Sequence, residues 1–312
     1  MQLYSWDEAG LGPVGDEIAA AFEPFIGRKV EADDPEWSRD LRRRKLRILR
    51  EYLGRRLLGW LPNRRRTTAA IIAEYDETWR VGHARYRLDA PARLKPWIWR
   101  GQRLYASSLG ATRFRQVILA RILERLKPRS VLEVGCGDGI NLILLACRFP
   151  EIRFTGLELT PEGYKAATDF QKAERLPEAM QAYAPLPLVD PSAFRSIRFV
   201  QGTAADLPFP DNLFDLTMTV LALEQMERIR DEAIREIVRV TRGHSLMIEP
   251  FREANDRGWP RLNVIRRDYL RGRVGHLARY GLQPELAIDD YPQELFLRTS
   301  TVLARKRVAT VR

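Results

Sequence analysis

The stretch VLEVGCGDGINL, Val131 to Leu142, is an apolar run that breaks into a glycine-rich turn and resumes as an apolar helical pattern. Glycine stands where backbone has to bend tightly and approach a ligand, so a nucleotide-like cofactor is implied, with a purely structural turn as the alternative. A dinucleotide turn, G-x-G-x-x-G counted from Gly135, would require glycine at the position of Ile140. The chain has Glu133-x-Gly135-x-Gly137-x-Gly139 instead.

Outward from that turn, short apolar runs alternate with longer helical patterns, as they do in a parallel sheet with crossover helices. Strands are expected near 130–135, 152–158, 197–201, 214–220, 244–249, 283–288 and 296–304, with helices after the first five. FTGLEL, Phe154 to Leu159, ends in Glu158, about 20 residues past the turn. An acid that grips two vicinal ribose hydroxyls belongs at that strand end; a solvated helix-capping acid is the alternative. The run Gln171 to Ser196, with Leu176-Pro177 and the prolines between Ala184 and Pro191, lengthens the second crossover, either as cover for the site or as a surface excursion. A third segment, FVQGTAADLPFPDNLFDLTMTVLALEQM, spans Phe199 to Met226.

Taken in order, these elements resemble the class I S-adenosylmethionine (SAM) dependent methyltransferases, of the ubiquinone/menaquinone and small-molecule type, from about Ser130 to Lys306. Glu133 to Gly139 resembles the family's first motif. Ala204, Leu207, Pro208, Phe209, Phe214 and Asp215 match the segment written G-D-A-x-x-L-P-F-x-x-x-x-F-D. The resemblance implies an α/β fold, with a Rossmann-like, seven-stranded, mostly parallel sheet and helices on both faces. A helical N-terminal region over 1–120 precedes a SAM-binding domain over 121–312. It implies SAM as cofactor, held by Glu133, Gly135, Cys136, Gly137, Gly139, Glu158, Leu159, Thr203, Ala204 and Leu221. Two departures stand out: Thr203 replaces the acid that bonds adenine in the family, leaving Asp206 as a substitute, and Gln225 replaces the histidine of Leu-Glu-His.

Methyl transfer from a sulfonium is an in-line displacement that depends on positioning, and a base is needed only where the acceptor must lose a proton. Ligands of open α/β sheets gather at the carboxyl ends of strands, which makes Glu224 and Glu249 candidates for acceptor binding, each also readable as a structural acid. Tyr105 and Trp99 are candidates for an aromatic lid, with interdomain packing as the plainer role. The acceptor is expected to be a small or lipophilic molecule. A SAM-binding protein of this fold that performs other SAM chemistry or regulates, and an RNA methyltransferase using the basic N-terminal region, are the competing readings.

The 312 residues suffice for one large core with an appended smaller domain. The N-terminus lacks the charged start and apolar run of a signal peptide and no span is apolar enough for a bilayer, so a soluble cytoplasmic protein is expected. Two cysteines, Cys136 and Cys147, imply no disulfide framework, and the scattered His83, His244 and His276 suggest no metal site. The net charge of +11 lies wholly N-terminal, with 27 Lys/Arg against 16 Asp/Glu up to residue 130 and 25 of each beyond it. Leu46, Leu49, Leu53, Leu57 and Trp60 recur at helical spacing among arginines from Leu41 to Leu61, before Pro62. That amphipathic helix could present a solvated or acid-paired face, lie on a membrane surface, meet nucleic acid, which is not favoured, or form a lid or homodimer surface. Thr67 to Leu126 reads as helical and irregular, broken near Pro91 and Pro96, without a strand pattern.

Overall fold

A computed structural model describes residues 14–58, 67–80, 83–89 and 93–307. Trp60, Leu61, Pro62 and Pro91 lie outside those residues. In chain order the elements are α1 (Val14–Phe22), β1 (Ile26–Val30), α2 (Pro35–Leu58), α3 (Thr68–Trp79), β2 (Leu94–Trp99), β3 (Gln102–Ser107) and α4 (Ser108–Leu126), followed by β4 (Ser130–Val134) and α5 (Ile140–Arg148). Then come β5 (Arg153–Glu158), α6 (Pro161–Phe170), α7 (Glu178–Tyr183), β6 (Arg198–Gln201), β7 (Phe214–Val220), α8 (Arg230–Val240), β8 (Thr241–Glu249), α9 (Gly258–Arg267), β9 (Leu282–Ile288), β10 (Gln293–Glu294) and β11 (Ser300–Lys306).

All seven expected strands form one sheet in the order β6-β5-β4-β7-β8-β11-β9, parallel except for β11, which runs antiparallel to both neighbours. Side chains alternate across it: Val131 enters the core packed with α4 and α5, while Leu132 and Val134 enter the core packed with α8. The chain leaves β4 toward β5 and β6 and later returns to β7 on β4's other side. This reversal opens a crevice at the carboxyl ends of β4 and β7. One expected helix is missing, because after β6 the chain goes through GTAADLPFPDNL, where Pro208 and Pro210 punctuate a connection too short for a crossover helix. The long second crossover does not cover the crevice. Tyr183 of α7 is buried, donates its hydroxyl to the Leu109 carbonyl and stacks edge-on with Phe25, so the insertion braces α4 from behind.

The N-terminal region is only partly the helical one expected. β1, β3, β2 and β10 make a second, four-stranded antiparallel sheet, to which the far C-terminal part of the chain supplies β10. Its hairpin turns at Arg100 and Gly101, both at positive φ (45° and 77°), the two-residue geometry that matches strand twist. LKPWIW and QRLYAS flank that turn, and Trp97 anchors it by donating its indole N–H to the Ala106 carbonyl. α4 passes through residue 120 and packs on both α1 and α5, tying the two sheets together.

The structure also gives α2 an orientation that its periodicity left open. Trp37, which packs on Tyr105 of β3, and Ile48 are its buried residues, and α2 packs on α9, whereas Leu46, Leu49, Leu53 and Leu57 lie on the opposite side, with Leu46 68% and Leu57 69% exposed. Ion pairs fix this setting: Arg55 with Asp268 at 3.3 Å and Glu51 with Arg266. Among the described residues no helix is long and apolar enough to cross a membrane. Ile48→Ala should cost roughly 2 to 4 kcal/mol in denaturant unfolding and Leu46→Ala less than about 0.5 kcal/mol; the reverse ranking would mean that α2 packs by its leucine face.

Candidate active site

The loop after β4 holds its shape through backbone and one carboxylate. Gly135, Gly137 and Gly139 all have positive φ (77°, 57° and 78°), which disfavours any side chain there. The space beside them is already taken by protein, since a Cβ on Gly135 would lie 2.6 Å from the Ala222 methyl, and one on Gly137 2.5 Å from the Trp79 ring. The glycines therefore let neighbouring elements close on the loop as well as baring its backbone. Gly135 and Cys136 donate to the Leu157 carbonyl, at 2.7 and 3.0 Å. Glu158 completes the frame: one oxygen accepts the Gly137 N–H at 2.8 Å, the other the Thr160 N–H and hydroxyl at 2.9 and 2.7 Å.

Above the loop lies a cavity of about 500 Å³, within the usual range of ligand pockets. Glu133, Gly135, Cys136, Gly137, Glu158, Leu159, Thr203, Ala204 and Leu221 all line it, so the geometry brings together nine of the ten residues singled out for the cofactor. Gly139 sits beneath, where it begins α5 and backs onto the Phe199 ring. Asp206 is exposed and outside the lining, which removes it as a substitute for the missing acid; Thr203 lines the cavity while its hydroxyl accepts from the Ala205 N–H. Leu207, Phe209 and Phe214 are core residues, and Asp215 ties the start of β7 to Arg129 and Ser130, so much of that motif serves packing.

Glu133 is 1% exposed, with one oxygen accepting the Asn141 amide at 2.7 Å and the other buried without a partner. Burial pushes its carboxyl up to about 8; Asp138 and Glu158 add to this and the Asn141 bond opposes it. Glu224, at the far end of the cavity, is similar: one oxygen accepts the Gln225 amide at 2.7 Å, the other is unpartnered, and burial beside Glu249 pushes it up to about 8. Glu249 takes the structural one of its two readings and not the acceptor-binding one. It is fully buried, absent from the cavity wall, and accepts the N–H groups of Ala222, Leu223 and Glu224, which the turn after β7 would otherwise leave unsatisfied. Its geometry is that of a buckle for the turn.

Tyr105 and Trp99 do not reach the cavity either. The hairpin directs Tyr105 onto Trp37, edge to face at 5.4 Å, and Trp99 under Arg100. The aromatic cover comes instead from α3, whose Ile71, Tyr75 and Trp79 line the roof, and from Tyr86 beside it. Three contacts dock this cover: Trp79 against Gly137, Arg85 with Asp138 at 2.8 Å, and His83 Nε2 with the Asp138 carbonyl at 2.7 Å. Helical periodicity gives no signal for them, because they join residues some 55 positions apart.

Comparison with known proteins decides what the loop belongs to: residues 132–248 match the family model described as a methyltransferase domain. The chain is 30% identical over 122 residues to ajmaline N-methyltransferase of Rauvolfia serpentina, covering 39% of this chain and 35% of that protein. It is 32% identical over 117 residues to fatty-acid O-methyltransferase of Mycolicibacterium smegmatis, covering 38% and 35%. It thus spans about a third of the length of these curated relatives. In fold it is similar to the crystal structure of the [4+2]-cyclase SpnF, with a TM-score of 0.51, 18% identity, and 78% and 97% coverage of the two chains.

The matched family implies SAM as the cofactor. The residues present fit it, since the orphaned Glu133 oxygen can receive an ammonium group beside an open cavity. At pH 7 a carboxyl at about 8 is mostly protonated, and a cation bound to it favours the ionised form, so ligand binding should release a proton. Calorimetry of SAM at pH 7 in phosphate and in Tris should give different enthalpies, with affinity rising from pH 6 to 7, and Glu133→Gln should abolish both effects. Equal enthalpies in the two buffers would remove Glu133 from the ammonium site.

Proposed function

We propose that the chain is a methyltransferase that uses SAM to methylate a small, largely apolar acceptor held between the glycine loop and α3. The observation that carries this reading is the single cavity joining the unpartnered Glu133 oxygen at the loop to the unpartnered Glu224 oxygen beyond the turn after β7. SAM, when bound, supplies a methyl group on a sulfonium, which makes the transfer a displacement by the acceptor. The chain's own work is positioning and exclusion of water. Glu133 holds the ammonium group, Glu158 receives sugar hydroxyls on its remaining lone pairs, and Thr203 with Leu221 borders the base. Ile71, Tyr75 and Trp79 close the roof over the acceptor. Glu224, whose carboxyl burial raises to about 8, can take a proton from an acceptor that has to lose one only in its ionised form, so such a step would gain as the pH rises toward 8.

The names of the matched relatives, an alkaloid N-methyltransferase and a fatty-acid O-methyltransferase, agree with an apolar acceptor. Other chemistry on this scaffold is the second reading, supported by the likeness in fold to a cyclase and by Gln225 in the histidine position. Mass spectrometry of SAM with apolar acids and amines separates the two. S-adenosylhomocysteine formed one-for-one with a methylated product is expected, and Glu158→Ala should raise the SAM dissociation constant at least tenfold. Methylthioadenosine, or no SAM consumption with any acceptor, would favour the second reading.

How an apolar acceptor arrives is suggested by α2. Its outward row of Leu46, Leu49, Leu53 and Leu57 is flanked by Arg42, Arg43, Arg47, Arg50 and Arg56, an apolar strip within cationic margins that complements an anionic lipid surface. Cosedimentation with phosphatidylserine-containing vesicles should exceed that with phosphatidylcholine alone and be lost in Leu46→Gln/Leu57→Gln. Equal sedimentation with both lipids would remove the membrane route.

A further inference from the structure

One charged group at the cavity is left over by the reading above. Arg115 lies on the face of α4 that also presents Ser108, Ala111 and Thr112 to the cavity, two turns into a helix whose start is capped by the Ser107 hydroxyl. Its Nε is shut off from solvent without a partner, and among the described residues the guanidinium makes no hydrogen bond or ion pair; its one ring contact is with its own neighbour, Phe114. The side chain as a whole is half-buried, which leaves its terminal nitrogens to water or to an anion that enters the cavity.

The surrounding acids do not complete it. Glu224, Glu249 and Glu294 are near enough to act on Arg115 through their fields, along with Tyr291. Yet Glu249 is spent on three backbone N–H groups, and Glu294 pairs with Lys95 at 3.4 Å. Glu224 carries the Gln225 amide and is held uncharged near pH 7 by burial. At pH 7 Arg115 and Lys95 face Glu294 and a Glu249 carboxyl that burial raises to about 7, so the acids at this end of the cavity fall short of neutralising the two cations. Glu133, which faces the cofactor's ammonium in the reading above, is not among the groups acting on Arg115. Ile71, Leu109, Met226 and Ile229 make the adjoining wall apolar.

Resting on the proposed methyltransferase reading, we propose that Arg115 anchors a carboxylate on the acceptor, which makes the substrate class an apolar carboxylic acid. The guanidinium offers paired donors that a carboxylate meets in bidentate fashion, and the Glu224 carboxyl, when protonated, can add a third. A lysine would supply the charge without that geometry.

The test uses the full chain saturated with S-adenosylhomocysteine and compares octanoate with octanol, the neutral probe of equal chain length, by calorimetry. Octanoate should bind at least tenfold tighter than octanol. Arg115→Gln should remove that preference and leave octanol affinity unchanged, and Arg115→Lys should restore part of it. Because the cation lacks a partner within the protein, Arg115→Gln should melt no lower than the parent; a purely structural arginine would lower the midpoint. Octanoate affinity unchanged in Arg115→Gln, or no preference for octanoate in the parent, overturns the proposal. So does a variant with weaker S-adenosylhomocysteine binding but unaltered 5′-methylthioadenosine binding, since Arg115 would then hold the cofactor's own carboxylate. Arg115-dependent octanoate binding in a parent that ignores S-adenosylhomocysteine would keep the anion site and sink the methyltransferase reading.

Discussion

The Glu158 carboxylate is the joint on which the site depends. It takes the Gly137 N–H from the loop after β4 and the Thr160 N–H and hydroxyl from the turn entering α6, fixing one relative to the other at the reversal point of the sheet. With the loop set, Gly137 can receive the Trp79 ring and Asp138 can receive Arg85, and the N-terminal layer closes a crevice into a cavity. A charged group doing this at 6% exposure is held by three charge-assisted bonds, which is how a buried carboxylate is tolerated.

Three buried acids near the cavity divide their work by what their oxygens touch. Glu249 has every oxygen engaged by backbone and is a support. Glu133 and Glu224 each keep one oxygen unpartnered and are pushed up toward neutrality, so each is poised to change charge when a ligand arrives. The cation Arg115 has the complementary deficit. An interior that leaves polar atoms of both signs incomplete around one cavity is built for a polar guest with an apolar body.

The parallel sheet was legible because β4, β5, β7 and β8 bury both faces and read as apolar runs, and the glycine loop because three left-handed bends need glycine in a fixed rhythm. Cavity-lining positions followed from strand ends for the same reason. The helix after β6 was overread where prolines left no room for one. Glu249 keeps two readings in the sequence because a strand-end acid looks alike whether it faces a ligand or three backbone donors. The hairpin at Arg100-Gly101 leaves little trace in the sequence, because Pro96 masks its alternation and arginine is a poor herald of a left-handed turn. The outward leucines of α2 show the limit of periodicity, which locates an apolar face and leaves open which face meets the core. Trp79, Arg85 and Arg115 were out of reach, since only the tertiary fold brings them over the loop.

The most direct measurement is a crystal structure of the chain with S-adenosylhomocysteine. The account expects the amino group within hydrogen-bonding distance of the free Glu133 oxygen, the ribose at Glu158, and the sulfur facing the space between Trp79 and Glu224. A ligand lodged elsewhere, or an amino group with no contact to Glu133, would contradict it.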